Sequence, residues 1–200
     1  MKQKSSVAFC AQTEYVYILL IVTYRVKVAD LDFEMVRIGL IVVMLGIVSY
    51  FDIFNKKDIP DMIYRVFAVL GIVLLSFNNP WGLIPVLVSV GVSVIVGMGL
   101  FFIGAWGGAD AKVMLAVALL QPIWTSPFPY EKVALHPYTA LMMMTNGAMI
   151  AGLAFLPVVL FRKTTDIKIA FLPFLSLGYL FTVLKGDILL WIRNIIFTAF

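Results

Sequence analysis

The strongest constraint on this chain is the length of its uncharged runs. Leu83–Ile103 and Leu141–Phe161 contain no ionisable side chain, and each reaches the roughly 20 residues a helix needs to cross the hydrocarbon core of a bilayer. Only 13% of the 200 residues are charged and 62% are hydrophobic, whereas a soluble domain carries about a quarter charged residues. The chain therefore reads as an all-α membrane protein whose first partner is the lipid bilayer.

Turn signals divide the apolar sequence into about six transmembrane helices. Val36–Phe54 is the first, ended by the polar NKKDIPD loop, and Met62–Phe77 is the second, closed by NNPWG. Leu83–Ile103 is the third. Asp110–Leu120 begins a fourth that Pro122 cuts short. Tyr138–Phe161 and Ile169–Leu184 are the fifth and sixth, and Ile188–Phe200 is an apolar tail too short to span. Met1–Glu34 stands apart: its apolar middle, Tyr15–Tyr24, is also too short, so residues 1–34 are read as an N-terminal extension and 35–200 as the membrane domain.

Loop charge sets the orientation. Lys56, Lys57, Arg65, Lys112, Arg162, Lys163 and Lys168 fall on or near the side shared by the loops after spans one, three and five. Arg37, Lys132, Lys185 and Arg193 fall to the other side. The positive-inside rule assigns the first group to the cytoplasm, making this a multi-pass protein of the cell membrane. The net charge of +4 follows from those loops; no basic cluster is paired with exposed aromatics, so no nucleic-acid partner is expected. A single cysteine, Cys10, excludes an internal disulfide and a cysteine-built zinc site. The single histidine, His136, argues equally against a His-rich metal centre, and no metal or cofactor is expected.

The chemistry centres on Gly104–Lys112, GAWGGADAK. Gly104, Gly107 and Gly108 let the backbone leave helical geometry, and Asp110 follows where a helix can restart. A short span preceded by non-helical backbone implies a wet pocket, because such backbone is tolerated at membrane depth only where protein or water satisfies it. Asp110 could simply N-cap its own helix, and that role is compatible with catalysis. Asp52, near the end of the first span, could be a helix-end acid in headgroup water. Topology nevertheless puts Asp52 and Asp110 on the same, cytoplasmic side. Two carboxylates facing one pocket share a proton, so one can act as base on a water while the other protonates the carbonyl or the leaving amine. That is aspartyl peptide hydrolysis. Asp58 and Asp61, solvated loop acids in the simplest reading, could attract a basic substrate segment. Lys112, two residues from Asp110 and hence on another helical face, reads as a headgroup anchor.

An aspartate followed by a basic loop and Ile59-Pro60, then GGAD at the head of a later helix, resembles the type IV prepilin peptidase family. The likeness is closest to its archaeal preflagellin peptidase branch, with a second motif of the GxGD type. It runs from about Met35 to the C-terminus and includes Asn146 in the fifth span and the Gly186–Asp187 pair. The resemblance implies an aspartic-type endopeptidase that removes short basic leader (signal) peptides from preflagellin- or prepilin-like precursors. It implies that Asp52 and Asp110 are the catalytic pair, with Gly107 and Gly108 the backbone that admits a substrate strand. Ala109 stands where many relatives have glycine, and the cysteine-rich insertion that accompanies N-methylation in bacterial relatives is absent, so no methyltransferase activity is expected. Two other classes compete: a small ion- or proton-coupled transporter using intramembrane aspartates, which paired broken helices would support, and a non-catalytic assembly subunit.

If Met35 begins the functional core, deleting Met1–Glu34 leaves precursor cleavage largely intact in a membrane assay. Complete loss of folding and activity would make the segment structural.

Overall fold

The computed structural model describes residues 33–55, 59–125, 137–162 and 170–199. Expectations that fall on residues 1–32, Lys56, Lys57, Asp58, Lys132, His136, Lys163 and Lys168 lie outside the described residues.

Helix α1, Phe33–Phe54, follows from one inward stripe. Arg37, Ile41, Met44, Leu45 and Val48 are buried, at the three- and four-residue spacing of a single helical face. Val36, Val43, Ile47 and Tyr50 point outward. The helix ends in a π-helical turn, Phe51–Asn55, a local widening common near functional sites. Six more helices follow: α2 Asp61–Phe77, α3 Leu83–Phe102, α4 Gly108–Leu120, α5 Thr139–Arg162, α6 Leu172–Lys185 and α7 Ile188–Ala199. No strand occurs among the described residues; a single antiparallel bridge, Ile123 with Tyr138, closes the base of the α4–α5 connection.

Among the described residues, three helices are long and apolar enough to cross a membrane: Phe33–Phe54, Leu83–Phe102 and Thr139–Pro157. Met62, Ile84, Ile95 and Phe102 are largely exposed, as helices hydrophobic all round require when their outer faces meet lipid. The bounds match the sequence expectation closely, with three differences. Helix α1 begins at Phe33, so Glu34 lies inside it and accepts hydrogen bonds from Thr125 Oγ1 at 2.7 Å and Gln121 Nε2 at 3.4 Å. Helix α6 begins at Leu172 rather than Ile169, because Pro173 suits the first helical turn, where its missing N–H costs nothing. Helix α4 begins at Gly108 rather than Asp110.

Short α4 sits at the centre, against α2, α3 and α5, while α5 pairs most extensively with α6. Its 13 residues rise about 20 Å. Glycines permit the closest approaches. A Cβ on Gly71 of α2 would lie 2.9 Å from the Leu119 carbonyl carbon of α4. A Cβ on Gly178 of α6 would lie 2.4 Å from Gly147 N and 2.5 Å from Met143 O of α5. Just beside this contact, the buried Asn146 donates to Thr182 Oγ1 (2.9 Å) and Gly186 O (2.7 Å) and accepts from Ile188 N (2.9 Å). It ties α5 to the end of α6 and the start of α7, as a polar side chain buried between membrane helices does. Gly186, at φ 85°, ends α6, and Asp187 Oδ1 accepts from Leu189 N at 2.9 Å at the head of α7.

Arg37 departs from its sequence assignment as a loop-side charge. It is fully buried; its guanidinium donates to Leu120 O of α4 (3.3 Å), to Leu74 O of α2 (3.4 Å) and to Asn78 O, and lies 4.6 Å from the Trp81 ring centroid. The carboxyl ends of two helices hold it, which is where a cation is favoured.

Gly178→Ala forces backbone apart and is expected to cost at least about 1–3 kcal/mol, lowering the melting temperature in detergent. Gly91→Ala, with nothing within 4 Å of the added methyl, leaves it unchanged or slightly raised.

Candidate active site

Helices α1, α2, α4 and α6 bring their polar groups together at the end of the bundle opposite Arg37. Asp52 continues the buried stripe of α1 one turn beyond Val48 and lies within the π-helical turn. Its Oδ2 accepts a hydrogen bond from the backbone N–H of Leu172 at 3.2 Å. Leu172 opens α6, so the carboxylate faces the positive end of that helix.

Asp110 is placed by the glycine-rich turn. Gly104 adopts φ 72°, and the N–H groups of Gly104 and Ala105 reach Phe101 O and Leu100 O. That is a Schellman ending for α3, whose left-handed position favours glycine. Trp106 then packs on Phe171, the residue before α6, at 5.6 Å between ring centroids. Helix α4 starts at Gly108, which makes Asp110 its third residue and Gly107 the N-cap. Asp110 is thus not the N-cap itself. Its Oδ2 accepts from Gly107 N at 3.0 Å, the return half of a capping box; glycine has no side chain to supply the other half. The Gly107 backbone, at φ −75°, does not demand glycine, and an added Cβ would sit 3.4 Å from that same Oδ2, at the edge of ordinary contact. Gly108 has more room, with the Phe101 ring 3.7 Å from an added Cβ.

Asp110 is only 7% exposed and Asp52 partly exposed. The two carboxylates lie within electrostatic range of each other. Each has one backbone donor at a helix start, and among the described residues neither is ion-paired to a basic side chain. Tyr64 of α2 is buried and within range of both. Sequence reasoning passed over Tyr64; its position three residues after Asp61, on the α2 face that also buries Phe67 and Gly71, was the available signal. The N–H of Leu172 had no side-chain signature at all.

Asp61 and Lys112 differ from their readings as a lone loop acid and a headgroup anchor. Lys112 does face away from Asp110, but its Nζ meets Asp61 Oδ1 at 2.5 Å, and Arg65 lies 4.0 Å from Asp61 Oδ2. The Lys112 ammonium holds the Asp61 carboxyl below the usual carboxylate range. The pair is therefore charged at neutral pH and lost as pH falls through that lowered value; being exposed, it adds little stability. It borders a cavity of about 210 Å³ between α2 and α4, and a second, of about 370 Å³, lies between α3 and α4 along Ser93, Gly97, Phe101, Gly108 and Ala111. No group of three or more His, Cys, Asp or Glu side chains able to hold a metal occurs among the described residues.

A family model described as the type IV leader peptidase family matches residues 39–192. The match spans α1 to α7 and so takes in every residue of this site. A search of the curated proteins and a search of the solved structures each returned no significant match.

Gly108→Ala meets only ordinary van der Waals contact and adds a better helix former, so folding and melting temperature are expected to hold. Gly107→Ala sets a methyl against the Asp110 carboxylate and is expected to lower activity more than Gly108→Ala does. A folded Gly108→Ala variant that no longer cleaves precursor would locate a substrate contact at that backbone.

Proposed function

The chain belongs to the type IV leader peptidase family, and from that premise we propose that it is a membrane-embedded aspartic endopeptidase with Asp52 and Asp110 as its catalytic pair. The carrying observation is the convergence of these two carboxylates, 58 residues apart in sequence (110 − 52), at one end of the bundle with no described basic side chain between them. Buried structural acids are usually paired with a cation; two neighbouring acids without one suit a shared proton.

The hydrolysis needs no further group. The ionised aspartate takes a proton from water as the oxygen attacks the scissile carbonyl carbon, and the protonated aspartate gives its proton to the carbonyl oxygen. The tetrahedral intermediate collapses as the C–N bond breaks. The leaving amine takes the proton held by the first aspartate, and the second recovers one from a hydroxyl of the intermediate as the carbonyl re-forms. The backbone N–H groups of Leu172 and Gly107 each bond one oxygen of an acid, leaving the other oxygen of each free to face water and substrate.

The substrate class in this reading is a precursor with a short basic leader followed by an apolar helix, of the preflagellin or prepilin kind. Such a helix lies in the bilayer and presents the junction with its leader at the membrane boundary. The excess of Lys and Arg in loops on the aspartate side makes that boundary the cytoplasmic one. Asp61, held by Lys112, offers a leader lysine or arginine an exchange of partners rather than a vacant acid, and Asp58 in the same loop would serve the same attraction. The family match favours peptidase over carrier.

Asp52→Asn and Asp110→Asn keep shape and most hydrogen bonds while removing the titrating group. In membranes carrying each variant, cleavage of a preflagellin-type precursor should fall by at least about 10²–10⁴-fold. The double variant should be no worse than either single, since residues acting as a unit are non-additive. Insertion should survive, because a neutral amide is less costly in a membrane than an acid. Near-normal processing by either single variant would remove the pair from the chemistry.

A further inference from the structure

We propose that Tyr64 is a positioning residue for this hydrolysis, its phenol O–H donating a hydrogen bond to the ionised member of the Asp52–Asp110 pair. The proposal rests on the aspartic reading above and adds to it a side chain that neither the motifs nor the family match singles out.

Tyr64 is 5% exposed, and its ring belongs to the core formed with Phe67, Val113, Met114 and Val117. Its hydroxyl has no hydrogen-bond partner among the described residues. Packing does not explain that oxygen: phenylalanine would fill the same space and leave no donor stranded. Buried donors without partners are uncommon, and each calls for a reason. The surroundings supply one. The phenol lies within electrostatic range of Asp110, Asp52 and Asp61, with Asp110 the strongest influence. Asp61 is already engaged by Lys112 and Arg65, which leaves Asp110 and Asp52 as the acceptors in need of a donor. An ionised carboxylate can only accept, so the phenol must donate.

The ring is also held. Lys112 Nζ lies 5.9 Å from its centroid, and Asp61 fixes that ammonium from three residues before Tyr64 on the same helix. A rigid phenol at the α2–α4 contact needs only rotation about its C–O bond to reach an acid that approaches on substrate binding. Hydrogen bonds of this kind are often long or absent before the Michaelis complex forms. The charged groups facing Tyr64 are Asp61 and Arg65 on its own helix, Asp110 and Lys112 on α4, and Asp52 on α1. The acidic limb of the rate profile then reports the aspartate pair and what donates to it.

The test compares the full-length wild type, Tyr64→Phe, Asp52→Asn and Asp110→Asn, purified in detergent. The probe is a preflagellin-type precursor with a basic leader and its apolar helix, with kcat and KM measured across pH and melting temperature alongside. Tyr64→Phe should lose about 10- to 100-fold in kcat, the range for a hydrogen bond to a charged group, with KM changed less than about twofold. The acidic limb of kcat/KM should move to higher pH, because a carboxylate that loses a donor holds its proton more tightly. Melting temperature should stay level or rise. Wild-type rates with an unmoved limb overturn the proposal. So does a lower rate with an unmoved limb and a lower melting temperature, or failure of Tyr64→Phe to accumulate, since either makes the hydroxyl a folding element. Asn variants that still cleave overturn the aspartic reading and this proposal together, whatever Tyr64→Phe does.

Discussion

The 13-residue α4 packs against helices of 17, 20 and 24 residues, and its carboxyl end at Leu120 and Gln121 is fully buried, so the N–H and C=O groups its own turns leave unpaired need partners from the rest of the protein. The arrangement of this bundle follows from that constraint. At the carboxyl end of α4 the Leu120 carbonyl accepts from Arg37, while the Gln121 side chain accepts from Tyr179 at 2.8 Å and donates to Glu34 and Thr125. At the amino end the Asp110 carboxylate takes up the Gly107 N–H. The acid proposed for catalysis is therefore also a structural answer to the shortness of its helix.

The geometry of the pair comes from three interruptions of regular helix. A π-helical turn carries Asp52, a Schellman ending and a glycine pair present Asp110, and a proline-started helix offers Asp52 the Leu172 N–H. Both acids meet the amino end of a helix, which stabilises negative charge without neutralising it by a cation. Packing holds these interruptions in register. Gly71 sets the distance from α2 to α4, and the Gly147–Gly178 contact locks α5 to α6.

Much of this was legible in the sequence because a membrane makes a simple demand on composition. The helix order, the turn signals at NNPWG and Pro122, and the position of Asp52 at the end of the first span all follow from apolar length and punctuation. The buried face of α1 is a plain three-four stripe. What escaped was pairwise. Nothing local distinguishes Arg37 from a loop cation, since its partners are carbonyls of α2 and α4. Lys112 looked like an anchor because the sequence does not show that Asp61 faces it across the α2–α4 contact. Gly147 and Gly178 carry no motif of their own, and their function exists only once two backbones touch.

Arg37 also sets a condition on how this protein is made. It lies near the start of the first described helix, while the groups that hold it, Leu74, Asn78 and Leu120, come 37, 41 and 83 residues later. During synthesis α1 must wait with an unpaired guanidinium, either held at the headgroup level or shielded by the insertion machinery, until α2 and then α4 arrive. The seating of the first helix is therefore provisional until more than half the chain has been made. The element that completes it is the same short helix that bears Asp110, so the second aspartate arrives in the step that lets the first helix settle.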